Sequence, residues 1–256
     1  MRVSHDVVVA ADVVLGYGAR IAIDRSSFAI PRPGITAIIG PNGSGKSTIL
    51  NAIAGLLPPI SGTIEVMDDV SGEPRISYVL QTTTVNDSLP LTVDEVVKMG
   101  RYATTGWFSR MSASDRARVK RAMDRTGATE FRRRHVQELS GGQRQRAFLA
   151  QGLAQDHDIL LLDEPLSGID LPTARAIDQV IHHEVEDGCA VVITTHDLTE
   201  AQVADHVILV KGVVVASGPP EDVITPENLT KAYGGAVLHP EQGIPIIDDP
   251  AHVAHD

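Results

Sequence analysis

A single cysteine, Cys189, stands among 256 residues, so the chain can form no internal disulfide; this suits a reducing cytosol. Aromatic residues amount to only 4%, which leaves aliphatic side chains to build the core. No apolar run approaches the roughly 18 residues of a membrane-spanning helix. The first residues, Met1-Arg2-Val3-Ser4-His5-Asp6, lack the charged-then-apolar pattern of a secretory leader. The expectation is a chain that reaches a membrane only through a partner. Basic residues are also scarce: 22 Lys and Arg against 33 Asp and Glu give a formal charge of −11. That balance argues against a general nucleic-acid binder.

What is present points to a folded α/β chain. Hydrophobic residues make up 43%, enough for a buried core, and the length fits one large domain or a core with an inserted subdomain. Charge is unevenly spread: residues 101–146 hold twelve Lys/Arg against four Asp/Glu, an excess of +8 that leaves −19 elsewhere. This marks a distinct middle unit, read either as a solvated helical surface or as a docking surface. Strands are expected over 7–15, 27–30, 35–39, 63–66, 159–162 and 190–194, those at 35–39, 159–162 and 190–194 being continuous apolar runs of buried-strand type. Helices are expected over 48–56, 112–126 and 143–154. Ala174, Ile177, Val180, Ile181 and Val185 form a core-facing helical stripe. Residues 207–210 and 213–216 flank Lys211-Gly212 as a hairpin, Thr225-Pro226 offers a cap and a first-turn proline, and an extended tail follows Pro240.

Gly40-Pro41-Asn42-Gly43-Ser44-Gly45-Lys46-Ser47 fits the phosphate-loop pattern G-x-x-x-x-G-K-[ST]. Its glycines let backbone N–H groups turn inward around phosphate oxygens, and the helix behind adds a partial positive charge. Lys46 reaches β- and γ-phosphates in such a loop, and Ser47 ligates Mg2+. Thr48 is read either as a capping or as a phosphate-contacting residue. The run Ile159-Leu160-Leu161-Leu162-Asp163-Glu164 places two carboxylates where a strand ends, the edge at which parallel sheets bind ligands; Asp163 is the natural partner of the Mg2+ shell. Leu139-Ser140-Gly141-Gly142-Gln143 is either a serine-capped helix start or a second phosphate reader. His182, His183, His239, His252 and His255 match no compact metal-site spacing.

In chain order, Tyr17, residues 40–48, Gln81, residues 139–143, Asp163-Glu164, residues 167–170 and His196 resemble the motif series of the ATP-binding cassette (ABC) family. The resemblance implies a P-loop NTPase core with N-terminal antiparallel β elements and an inserted α-helical subdomain. It implies a single domain over 1–240, with a RecA-like core at about 1–85 and 156–240, a helical subdomain at about 86–155, and a tail at 241–256. It implies ATP and Mg2+ as ligands, with Tyr17 stacking on adenine unless it is a structural turn residue. Gln81 senses the γ-phosphate and the metal, Glu164 is the general base for water, and His196 is the switch residue. Ser140, Gly141, Gly142 and Gln143 then read the nucleotide of a second copy packed head to tail. Ser167-Gly168-Ile169-Asp170 departs from the common Ser-Ala-Leu-Asp, which predicts a looser helix start at Gly168 while Asp170 is kept.

The segment 89–102, with Gly106-Trp107-Phe108 after it, is similar to bacterial manganese/zinc importer ATPases. Siderophore and haem importers share its Thr-Val…Gly-Arg pattern, and a soluble non-transport ABC ATPase is the reading from another class. As an importer subunit the chain would sit peripherally on the cytoplasmic face of the membrane. It would meet a membrane-spanning permease directly and an extracytoplasmic solute-binding protein indirectly, with no nucleic-acid partner.

Overall fold

The computed structural model describes residues 5–67, 75–80, 90–102 and 110–234, and the backbone of 237–238 and 246–247. Gln81, Gly106-Trp107-Phe108, His239, His252 and His255 lie outside the described residues. The first elements are β1 His5–Tyr17, β2 Arg20–Arg32, β3 Gly34–Ile39, α1 Lys46–Ile53, β4 Ser61–Val66 and β5 Ile76–Val79. Then come α2 Val93–Met99, α3 Ala113–Arg125, α4 Gly141–Leu153, β6 Ile159–Asp163, α5 Leu171–Glu186 and β7 Ala190–Thr195. The last are α6 Leu198–Gln202, β8 His206–Val210, β9 Val214–Gly218, α7 Pro220–Val223, α8 Pro226–Tyr233, β10 Val237–Leu238 and β11 Ile246–Ile247. The chain divides into two compact units, one made of residues up to Val66 and from Thr194 onward, the other of Met67–Ile193.

In the first unit, β1 lies between β2 and β4, antiparallel to both. Its register shifts between Ala10 and Val13, where Asp12 takes φ 49; the extra residue there twists the strand as a bulge does. Strand β3 is buried at every position and runs parallel to β8, which pairs in turn with β9 as the expected antiparallel hairpin. Helix α1 starts two residues earlier than the apolar pattern predicts, because Gly45 of the phosphate loop is its N-cap. It also ends sooner, at Ile53, with Gly55 at φ 72 just beyond. Thr225 caps α8 by accepting from the Asn228 N–H, with Pro226 in the first turn. The weakly patterned tail is not wholly irregular: Ile246–Ile247 pair with Val237–Leu238.

In the second unit, β5 and β6 are parallel neighbours, and β6 and β7 are buried along their whole lengths. A separate aliphatic cluster joins Val93, Val96 and Val97 of α2 to Val119 and Met123 of α3 and Ala147 and Ala150 of α4. Each of these three helices opens with a reciprocal capping box, Thr92 with Glu95, Ser112 with Asp115, and Ser140 with Gln143, which satisfies two orphan donors at each start. Arg101, 5% exposed, fastens their ends together by donating to Asp115, the Ala154 carbonyl and Asp156. Gly152 lets α4 approach β5, since a Cβ there would fall 2.6 Å from Val79 Cγ2. On α5 the buried face differs from the predicted stripe: Thr173 and Glu184 are buried beside Ile177, Val180 and Ile181, while Ala174 and Val185 are half-buried. The reason is polar, because Thr173 answers the Asp170 cap and Glu184 meets the buried His157 ring and the Arg125 guanidinium.

Candidate active site

The phosphate loop of the first unit is shaped by glycines in backbone conformations that side chains avoid. Gly43 and Gly45 have φ 74 and 108, and a Cβ on Gly45 would come within 2.3 Å of Ile23 Cδ1. Gly40 is as constrained, since its Cβ would lie 2.1 Å from the Val210 carbonyl oxygen. The loop is closed by Ser44 N–H donating to the Pro41 carbonyl at 3.1 Å and runs into α1 through Ile49 N–H to the Gly45 carbonyl at 3.0 Å. The turn between β8 and β9 braces it from behind: Gly212 N–H donates to the Ser44 carbonyl at 2.8 Å, and its own carbonyl accepts from Asp24 N–H at 2.7 Å. Motif reading finds the loop but not this brace, which only the folded backbone brings to it.

Lys46 is buried, and its Nζ donates to the Gly40 and Pro41 carbonyls at 2.9 and 3.3 Å, folded back over the loop. Ser44 Oγ is buried without a hydrogen-bond partner. A buried hydroxyl left unsatisfied costs about 1–3 kcal/mol, and a phosphate oxygen in the loop would satisfy it. The cradle therefore fits a nucleotide's phosphates. Asn42 and Ser47 are exposed and Thr48 is buried. Tyr17, 51% exposed at the end of β1, is tied to α1 because its hydroxyl accepts from Asn51 Nδ2 at 3.0 Å; ring exposure and structural anchoring thus coexist. His196 is exposed after β7. Its flanks are pinned by Asp197 N–H to Thr195 Oγ1 at 2.9 Å and by Thr199 N–H to Asp197 Oδ1 at 2.7 Å.

In the second unit, β6 ends on the buried Asp163, and Glu164 follows at φ 47. A glutamate in the left-handed region stores strain of about 1–3 kcal/mol, the sort of cost found at functional positions. Four residues on, Gly168 is also left-handed at φ 68. Asp170 then caps α5, accepting from Thr173 N–H at 2.9 Å and from its hydroxyl at 3.2 Å. Those bonds from Thr173, the backbone one foremost, hold the Asp170 carboxyl below its ordinary value. So the helix start expected to be loose is capped, and the looseness is replaced by a specific backbone turn at Gly168.

Of the two readings of residues 139–143, the serine-capped helix start is the one present in the structure. Ser140 is the cap of α4, its hydroxyl accepting from Gln143 N–H at 3.3 Å while Gln143 Oε1 accepts from Ser140 N–H at 3.2 Å. Yet Ser140 and Gly141 are exposed, and nothing lies within 4 Å of where a Gly141 Cβ would be. Gly142 faces its own unit: a Cβ there would meet Thr173 Oγ1 at 3.1 Å and Asp170 Oδ2 at 3.5 Å. The start of α4 and the start of α5 therefore share one surface. Behind it, the Arg146 guanidinium stacks 5.0 Å from the Phe131 ring centroid.

A phosphate cradle, a strained carboxylate after a buried strand, and an exposed capped Gly-Gly turn define a P-loop ATPase. The ABC transporter family pattern matches residues 23–167, and the chain belongs to that family. Among curated proteins it is 40% identical to the zinc transport system ATP-binding protein TroB of Treponema pallidum, covering 88% of this chain and 86% of that one. It is 38% identical to the manganese transport system ATP-binding protein MntB of Bacillus subtilis, over 88% of this chain and 91% of the relative. The chelated iron transport system membrane protein YfeB of Yersinia pestis is 37% identical, over 92% and 83%. Among solved structures, a metal-chelate type ABC transporter in an inward-facing conformation superposes with a TM-score of 0.78 at 28% identity, covering 90% of this chain and 89% of that one.

Proposed function

We propose that this chain is the ATP-hydrolysing subunit of a membrane transporter that imports a divalent metal ion, manganese or zinc. The observation that carries the reading is the pairing of a complete motif order with relatives named for manganese and zinc transport that align over 88% of the chain. Residues of the loop, Gly40, Asn42, Gly43, Ser44, Gly45, Lys46, Ser47 and Thr48, bind the nucleotide phosphates, and Tyr17 offers its exposed ring to adenine. Ser47 and Asp163, with Gln81, are hard oxygen donors of the kind Mg2+ takes; bound with the nucleotide, Mg2+ would neutralise charge on the β- and γ-phosphates. Glu164 takes the proton of the attacking water and His196 orients it. Hydrolysis asks for positioning and charge stabilisation more than covalent chemistry.

Ser140, Gly141, Gly142 and Gln143 serve the nucleotide of a second copy, so two sites form across a twofold axis. No described helix is long and apolar enough to cross a membrane; the likeness to transport-system ATP-binding proteins supports a separate permease that carries the cargo, with this chain on its cytoplasmic side. The arm spanning about 86–155 is the surface we assign to that permease, continued by a groove between Tyr78, Leu80, Phe148 and Gln151. Leu80 is 52% exposed there, an apolar side chain left for a partner to cover.

Glu164→Gln should lower ATP turnover by roughly 10²–10⁴-fold and trap an ATP-bound dimer on size exclusion; monomers alone with ATP and Mg2+ would sink the composite site. For the cargo, cells lacking the chain should accumulate less manganese or zinc, with recovery by the wild type and none by Lys46→Ala. Loss of chelated iron uptake alone would replace the cargo reading, and a purely soluble co-purifying partner would remove transport altogether.

A further inference from the structure

Three side chains that the ATPase reading leaves unused converge inside the Met67–Ile193 unit. His157 lies just before β6, Glu184 in the last turn of α5, and Cys189 just before β7. The backbone gathers them: Cys189 N–H donates to the Glu184 carbonyl at 2.9 Å and Ala190 N–H to the Asp158 carbonyl at 3.0 Å. The His157 and Glu184 side chains are each 6% exposed and Cys189 is 7% exposed. His157 Nε2 lies 3.1 Å from Glu184 Oε2, and Cys189 Sγ lies 3.8 Å from the same oxygen. All three ligand atoms fall within 4.8 Å of one another.

The 3.1 and 3.8 Å separations bracket those of a metal's coordination sphere, so shifts of a few tenths of an ångström would close it around an ion. Bonds of about 2.0 Å to nitrogen and oxygen and about 2.3 Å to sulfur place tetrahedral ligands roughly 3.3–3.6 Å apart. The surroundings prepare each donor. His157 Nδ1 sits 3.1 Å from the Gln155 carbonyl oxygen, the outer contact a ligating imidazole keeps; in the metal-free chain Nε2 donates to Glu184 Oε2, and a cation bound there would displace that proton. Arg125 Nη1 holds Glu184 Oε1 at 2.6 Å, which leaves Oε2 for the other two groups, and Arg125 is itself balanced by Asp187 at 2.9 Å. We propose that His157 Nε2, Glu184 Oε2 and Cys189 Sγ bind one zinc-type divalent cation that staples α5 to the starts of β6 and β7. Thiolate with imidazole selects a borderline-soft ion over magnesium or manganese, which prefer all-oxygen sites. One thiolate and one carboxylate neutralise its charge. The centre is separate from the proposed magnesium site, because it sits at the opposite end of β6 from Asp163, roughly 13 Å along the strand.

The sole cysteine makes the test unambiguous. Cobalt(II) titrated into the metal-free full chain should give a sulfur-to-cobalt charge-transfer band and intense tetrahedral visible bands that saturate at one equivalent. Cys189→Ser, a one-atom change that keeps the packing, should abolish the charge-transfer band. His157→Gln and Glu184→Gln should each weaken cobalt binding by about tenfold or more. Zinc should displace the cobalt and raise the melting temperature of the wild type but not of Cys189→Ser. Cobalt held by any other histidine would give no sulfur band and cannot imitate this result. The absence of that band in the wild type overturns the site on its own, whatever the variants do. A band of unchanged affinity in both His157→Gln and Glu184→Gln overturns it too, leaving a buried ion pair beside an uninvolved thiol.

Discussion

Gly168 shows how one residue can contradict its family pattern for a local reason. With φ 68 and no atom within 4 Å of a would-be Cβ, the position has room for a side chain but the wrong backbone for one. Gly168→Ala, although it restores the commoner Ser-Ala-Leu-Asp, should therefore cost about 1 kcal/mol in urea unfolding. Relief of unfolded-chain entropy alone would give the opposite sign. His206 supplies a pH-dependent term. Burial lowers its pKa, opposed by the nearby Asp6 carboxylate, and its Nε2 lies 2.9 Å from Ser217 Oγ on β9. A group whose folded value is depressed favours the native state above its unfolded value and loses that contribution as pH falls through the folded one. The wild type should thus lose melting temperature relative to His206→Gln between about pH 7 and about pH 5. A constant gap across that range would show that His206 titrates normally.

The start of α4 performs two tasks that substitution can separate. Ser140→Ala removes a cap worth about 1 kcal/mol and, in the proposed composite site, also removes a phosphate donor. Ser140→Asp keeps a strong cap and suits the positive helix start, but sets a carboxylate against phosphate. Denaturation should show the Asp variant at least as stable as the wild type, while ATPase assays should find both variants impaired. An active Ser140→Asp would reduce Leu139–Gln143 to a helix start. Helix α5 marks the limit of pattern reading. Periodicity located its apolar side through Ile177, Val180 and Ile181, yet Glu184 is buried on that face. A glutamate at such a position reads as solvated because its partners, His157 and Arg125, come from other elements. Strands β3, β6 and β7 were legible for the opposite reason: a continuous aliphatic run has few stable places except a sheet covered on both faces.

For the whole chain, contiguous glycines and carboxylates make the phosphate loop and the end of β6 readable in the sequence. The brace behind the loop was not, because Gly212 reaches Ser44 through backbone atoms that carry no residue-type signal. That brace has a consequence for the order of synthesis. Strand β3 has β8 as its parallel neighbour, and the loop is backed by Gly212, so the first unit is interrupted by the whole of Met67–Ile193. At about 5–20 residues per second, a ribosome needs on the order of 10 s to cross that gap. Nascent chains stalled before Val210 should leave the loop open to protease and unable to retain ATP. Chains released beyond Gly218 should protect it; equal protection in both would mean that the loop forms unaided. On that expectation the phosphate loop is completed late in translation, after the second unit has had time to fold.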